Sequence, residues 1–376
     1  MNFLQIPGQK NIISKLIQTV KNDRISHAQI FAGIEGGANF ALALAYAKYI
    51  NCEDRLDHDS CGKCKSCIKY EKMVHPDLHF VFPVIKRKEK DPVSDDFIAE
   101  WREFAAKTPF FTINNWFDSI EVGNSQGMIY SSEASEIIRK LNLKTFESDY
   151  KIMIIWLPEK MNDTSANKLL KMIEEPPAKT LFILVSNEPD KIIPTILSRC
   201  QMVKIPKFND NDVETYLIEK FDIAKEKAAG IARVSNGNIA KAIELYQNES
   251  FSLENLDKFK DLMRFAWKRD VLSLINWSET IASTGRELQK EFISYSLRML
   301  RENIMLTLGQ EENNLVFLTN EETGFSKNFH PFITEKNIYF LTDEFSLARA
   351  HIEANGNSKA IFLDLALKVT KAIRPN

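Results

Sequence analysis

Residues 29–47 read QIFAGIEGGANFALALAYA, a short apolar run followed by a glycine-rich turn and then an apolar segment of helical length. The run Gln29 to Phe31 reads as a buried strand, and the turn Gly33-Ile34-Glu35-Gly36-Gly37-Ala38-Asn39-Phe40 has the shape of a P-loop. A working P-loop surrounds phosphates with backbone N–H groups, neutralises the β and γ groups with a lysine, and holds Mg²⁺ on a Ser or Thr hydroxyl. Here Ala38 takes the last glycine's place, Asn39 the lysine's and Phe40 the hydroxyl's. An amide carries no charge and a phenyl ring ligates no magnesium, so the loop is degenerate. Taken by itself, the stretch is an ordinary glycine turn into a helix.

Outward from the loop, the same grammar repeats. Apolar runs at Leu78 to Phe82, Ile152 to Trp156, Leu181 to Val185 and Met202 to Ile205 read as further buried strands. Segments of helical spacing lie between them, such as Ile12 to Val20, Ile137 to Leu141 and Leu169 to Ile173. Strands alternating with helices predict a parallel α/β sheet. A helix from about Thr164 to Glu175 follows the cap candidates Asn162 and Asp163 and is stopped by Pro176 and Pro177.

The strand KIMIIW at 151–156 runs into Leu157, Pro158 and Glu159. This is where a phosphate-hydrolysing site of this design carries carboxylates for Mg²⁺ and the attacking water. Trp156 and Leu157 stand there instead, and only Glu159 remains nearby. Two matching losses point to a fold kept without its reaction.

After about Pro206 the strand-like runs stop and amphipathic helical patterns continue to the C-terminus, as in Val271 to Ile281 and Phe292 to Leu308. The expected division is a sheet domain at 1–206, a small helical lid domain at 207–250 and a larger all-α domain at 251–376. Residues 85–127 interrupt the pattern with a charged stretch, Lys86 to Asp91, and then Trp101, Phe104, Phe110, Phe111, Trp116 and Phe117. So many aromatics predict an ordered insertion and not a linker.

The 376 residues are 44% hydrophobic with a net charge of −2, which supports a large core and gives no compositional sign of nucleic-acid binding. No stretch reaches the roughly 18 apolar residues of a membrane span, and the N-terminus shows no basic segment followed by an apolar run. A cytoplasmic protein is expected. Of five cysteines, Cys52, Cys61, Cys64 and Cys67 fall within sixteen residues, with eight, two and two residues between them. Such spacing suits metal binding better than a disulfide framework, since paired C-x₂-C turns bring thiolates together tetrahedrally. Four reduced, unmetallated thiols are the plainer alternative.

Gly8-Gln9, Ser26-His27-Ala28, the cysteine cluster, His75-Pro76-Asp77, Asn167 to Pro177 and Pro194 to Gln201 occur in an order that resembles the clamp-loader subunits of bacterial DNA polymerase III, members of the AAA+ family, and the delta-prime type most closely. The resemblance covers roughly 4–83 and 129–205, continues weakly through Ser235 to Gly237, and has no counterpart for 85–127. It implies an AAA+ module with a lid, and a C-terminal collar that holds five subunits together. It also implies a structural Zn²⁺ on Cys52, Cys61, Cys64 and Cys67, with His58 unsupported as a ligand.

For function it implies a non-hydrolysing subunit of the polymerase III nucleotidyltransferase complex. Such a subunit works with motor ATPase subunits and a delta subunit to load the sliding clamp on primer-template DNA, and its own degenerate loop (Gly33, Gly36, Gly37, Asn39, Phe40) is not expected to bind ATP productively. Ser198-Arg199-Cys200 matches the family's arginine finger, in which the arginine reaches a neighbour's γ-phosphate; this casts Arg199, with Ser198 beside it, as acting in trans. An active ATPase motor subunit and a free-standing zinc-dependent DNA-binding protein are the alternatives. His75-Pro76-Asp77 is also a cochaperone signature, but a strand follows it at once. His27 lacks a nucleophile or paired carboxylate and is assigned a packing role.

Overall fold

The computed structural model describes residues 1–86, 91–120, 127–247, 249–309 and 316–373. Five strands, β1 (Ala28–Ala32), β2 (Leu78–Val81), β3 (Lys151–Trp156), β4 (Thr180–Ser186) and β5 (Gln201–Lys204), form one parallel sheet in the order β2-β3-β4-β1-β5. Every strand lies where an apolar run predicted one. β1, β3 and β4 are buried along their whole length, as a parallel sheet covered on both faces requires, whereas β5 at the edge is largely exposed.

The cover on one face is the helix Asn39–Ile50, all twelve of whose residues are buried, which explains why it reads as continuously apolar. On the other face Ile30, Met153, Ile155, Phe182 and Leu184 pack with Ile137 and Leu141 of the helix Ser131–Asn142 and with Leu169 and Ile173 of Asp163–Glu174. That last helix starts as expected: the Asn162 side chain accepts the Ser165 N–H at 2.7 Å.

The described part of the insertion, residues 91–120, is helical and packed. The insertion's feet are joined by an antiparallel bridge in which Val84 and Met128 exchange both N–H···O bonds at 3.1 Å. Between them lie the helices Ile98–Lys107 and Ile113–Ser119, with Trp101 and Trp116 fully buried. Most of the charged stretch at 86–91 lies outside the described residues.

Among the described residues beyond β5 all regular structure is helical, as expected. Packing divides the chain into two compact units, Met1–Ala228 with Ser235–Ile243, and Ala229–Val234 with Glu244–Asn376. The helix Asp210–Phe221, expected within the lid, therefore belongs to the sheet unit. The second unit is built on its own core, where Phe259, Leu262, Trp277, Phe292, Leu300, Phe345 and Phe362 meet. Among the described residues no helix is long and apolar enough to cross a membrane. One small expectation fails: His27 is exposed, and only its backbone carbonyl is used, accepting the Phe182 N–H at 2.8 Å at the start of the β1–β4 pairing.

Candidate functional site

The degenerate loop sits where β1 feeds the helix Asn39–Ile50. Gly36 turns the chain at φ +67°, a conformation that favours glycine, and a Cβ there would lie 2.3 Å from Asn238 Oδ1. The chain presses on the loop from two sides. Asn238 Nδ2 donates to Glu35 O at 2.8 Å and the Ala240 N–H to Gly36 O at 3.3 Å, while the Glu35 carboxylate accepts the Ile113 N–H of the insertion at 3.1 Å.

Asn39 does not reach outward as a phosphate-binding lysine would. It is 4% exposed, and its Nδ2 donates to Asn187 Oδ1 at 3.1 Å and, at 3.4 Å, to Ser186 O at the end of β4. Its Oδ1 folds over the loop, 2.6 Å from where a Cβ on Gly33 would stand. A neutral amide pair thus ties the loop to Asn187.

Phe40 is equally buried. Its ring lies 5.6 Å from Trp101 and 5.0 Å from Phe111, and those two rings lie 5.3 and 5.1 Å from Trp156 at the end of β3. The two positions that would hold Mg²⁺ in a working site are therefore joined through aromatic rings from the insertion. Glu159, the carboxylate left near β3, accepts the N–H groups of Asn187 and Glu188 at 2.9 and 3.2 Å and braces the following loop.

Arg199 follows the short helix Pro194–Leu197 before β5. Its Nε contacts Glu174 at 3.0 Å and its Nη1 donates to Thr195 O at 3.0 Å and Ser198 Oγ at 3.4 Å. The side chain keeps about a third of its surface exposed. Ser198 in turn donates to Thr195 O, so it serves to steady the guanidinium.

The four sulfurs of Cys52, Cys61, Cys64 and Cys67 lie within 4.8 Å of one another, and Cys61 and Cys67 are 3.9 Å apart. Four ligands at 2.3 Å from one tetrahedral ion would be about 3.8 Å apart, so the donor set fits zinc. The Cys61, Cys64 and Cys67 N–H groups point at the sulfurs of Cys52, Cys61 and Cys64, each at 3.3 Å, which stabilises thiolates. Burial acts to raise the Cys61 thiol, but the backbone of Lys63 and Cys64 and its sulfur neighbours bring it down to about 7; burial pushes Cys52 and Cys67 up. His58 is exposed and lies outside the sulfur group.

The His75-Pro76-Asp77 signature has a local job that sequence reasoning missed. The Asp77 carboxylate accepts the N–H groups of Phe146, Glu147 and Ser148 at 2.7, 3.0 and 3.0 Å, and His75 Nε2 meets Ser148 Oγ at 2.9 Å. The tripeptide clamps the loop before β3.

A parallel sheet with a glycine loop leading from β1 into a buried helix has the layout of a nucleotide-binding fold. Residues 8–209 match the family model described as DNA polymerase III, delta subunit, and the chain belongs to that family. It is 28% identical over 244 residues to the DNA polymerase III subunit delta′ of Bacillus subtilis and 24% identical over 245 residues to that of Escherichia coli, each alignment covering 65% of this chain. Those alignments span 61% and 62% of the relatives' own lengths. Among solved structures, a protein related to the DNA polymerase III gamma subunit from Thermotoga maritima aligns over 96% of this chain and 99% of its own at 14% identity, with a TM-score of 0.36.

Proposed function

We propose that this chain is the non-hydrolysing subunit of a replicative clamp loader, assembled with motor ATPase subunits and a delta subunit in the cytoplasm, and that it supports ATP-dependent loading of the sliding clamp on primer-template DNA. The observation that carries the reading is that the loop's side chains are engaged within the chain: Asn39 bonds Asn187, and Phe40 is packed against Trp101 and Phe111. A triphosphate with Mg²⁺ would meet no cation from the loop, no hydroxyl, and rings in place of open space.

Arg199 supplies what the chain lacks in chemistry to a neighbour. A guanidinium stays charged and binds phosphate oxygens as a fork, and such fingers contribute about 10³–10⁵ in rate in well-studied nucleotide hydrolases. The pair with Glu174 is partly exposed and so stabilises by only about 0–1 kcal/mol, which makes redirecting the arginine across a subunit interface cheap. Ser198 and Thr195 hold the guanidinium beside the end of the helix Pro194–Leu197, where about a third of the side chain is exposed.

Cys52, Cys61, Cys64 and Cys67 hold a structural Zn²⁺. All four ligands are sulfur, so the site is closed to substrate and its contribution is to folding. The helices 207–250 act as the lid and 251–376 as the collar that joins the subunits.

The test is reconstitution of the loader from its motor and delta subunits with either wild type or Arg199→Ala. The substitution should lower clamp-dependent ATP turnover at least tenfold while the complex still assembles. Unchanged turnover and unchanged clamp loading would remove the finger from the account.

A further inference from the structure

We propose that residues 91–120 of the insertion are a resident occupant of the place that the magnesium ion and phosphates take in an active site of this design, doing from within the chain the ordering that a bound nucleotide does there. The inference rests on the non-hydrolysing reading and adds what replaces the nucleotide and what keeps it out.

Three independent contacts converge on it. Trp101 and Phe111 each touch both Phe40 and Trp156, so two insertion rings bridge the residues at the positions of the Mg²⁺ hydroxyl and the Mg²⁺ carboxylate. The first N–H of the helix Ile113–Ser119 is taken by the Glu35 carboxylate, which fastens the insertion to the glycine loop itself. Beyond the cleft, Phe110 packs edge-on against Phe208 and Tyr216, linking the insertion to the helix Asp210–Phe221.

The insertion is also anchored from beneath. The Trp116 indole donates to Pro83 O at 2.9 Å, Trp101 stacks on Phe82 at 4.1 Å, and Ser94 binds Phe82 and the Glu133 carboxylate. The insertion's feet are paired at Val84 and Met128, and within 91–120 Trp101 and Phe111 pack against Phe40 and Trp156. Rings packed at these distances would have to part to admit a hydrated metal ion, and Phe40 and Trp156 are buried against them. Phe40, Trp156 and the insertion are then parts of one device: aromatic rings stand at two positions that carry catalytic groups in a working site, and the insertion supplies their apolar partner.

Hydrogen exchange on the full chain, with and without Mg-ATP, tests this. In the wild type, Mg-ATP should leave exchange in peptides covering 33–44 and 152–157 unchanged; protection there on adding Mg-ATP would defeat the non-hydrolysing reading itself. Phe111→Ala should speed exchange in both of those peptides at least tenfold without nucleotide, with 256–304 unchanged. Acceleration confined to 94–119 would overturn the occupant idea and leave the non-hydrolysing reading standing. Should Phe111→Ala fail to fold, Phe111→Leu gives the same comparison. Restoring the missing groups with N39K/F40T should still give no Mg-ATP protection while the insertion is in place; protection by Mg-ATP with 94–119 undisturbed would equally overturn the occupant.

Discussion

Glu133 shows how single residues hold the insertion down. Its side chain is buried, its Oε2 accepts both the backbone N–H and the hydroxyl of Ser94, and burial raises its pKa to about 7. A carboxyl whose folded pKa exceeds its unfolded value binds more protons when folded, so its stabilising contribution is complete below about 4.5 and is lost as pH rises through about 7. Glu133→Gln keeps an acceptor for Ser94 without the charge. Denaturant unfolding at pH 5 and pH 8 should show the wild type losing stability between them, relative to Glu133→Gln, by a margin on the order of 3 kcal/mol. Parallel pH dependence of the two proteins would mean that the carboxyl titrates normally.

The residue scale is also where sequence reasoning was strongest on chemistry and weakest on partners. That Asn39 and Phe40 lack charge and hydroxyl is legible from residue type alone. That Asn39 would find Asn187, 148 positions away, is a consequence of β1 and β4 being neighbours, which no local pattern states. His27 illustrates the converse, since a histidine without a nucleophile or paired carboxylate reads as packed, yet it is exposed just before β1.

At the scale of elements, the cysteine lobe and the aromatic insertion are the two additions to the sheet. The lobe is tied to the start of the chain through Asp59, whose carboxylate accepts the N–H groups of Phe3 and Leu4 at 3.2 and 2.9 Å. Removing zinc with a strong chelator should therefore lower the thermal midpoint of the sheet unit. One zinc per chain should be released, with DNA affinity of the isolated chain unaltered. Loss of tight DNA binding on chelation would instead favour a zinc-dependent DNA-binding protein.

In the insertion, Trp101→Ala should destabilise by about 3–5 kcal/mol, the range for emptying a buried large aromatic site, as read from urea unfolding. Trp101→Phe should cost clearly less, because it keeps a ring and removes an indole N–H that has no hydrogen-bond partner. Composition predicted that 85–127 is ordered. It did not say against what the rings pack, because aromatic side chains specify burial and not a partner.

For the whole molecule, the two-part division into a parallel sheet and a helical remainder was readable, since strand period and helix period change character at Pro206. How the helices after that point are shared between compact units was not, since Asp210–Phe221 is one helix in an unbroken helical series and only packing assigns it to the sheet unit. The helical unit also contains a buried ion pair, Arg298 with Glu322, joined by the Tyr295 hydroxyl at 2.9 Å from the same carboxylate. Glu322→Ala leaves that arginine buried without its partner and should cost about 3–5 kcal/mol in unfolding experiments.

On the proposed reading the chain's own rings and amides stand where a nucleotide would bind, and this has a direct consequence for nucleotide affinity. Equilibrium binding of labelled ATP with Mg²⁺ to the isolated full chain should show no saturable association at micromolar concentrations. Saturable micromolar binding, with the label displaced by unlabelled ATP, would contradict the account at its centre.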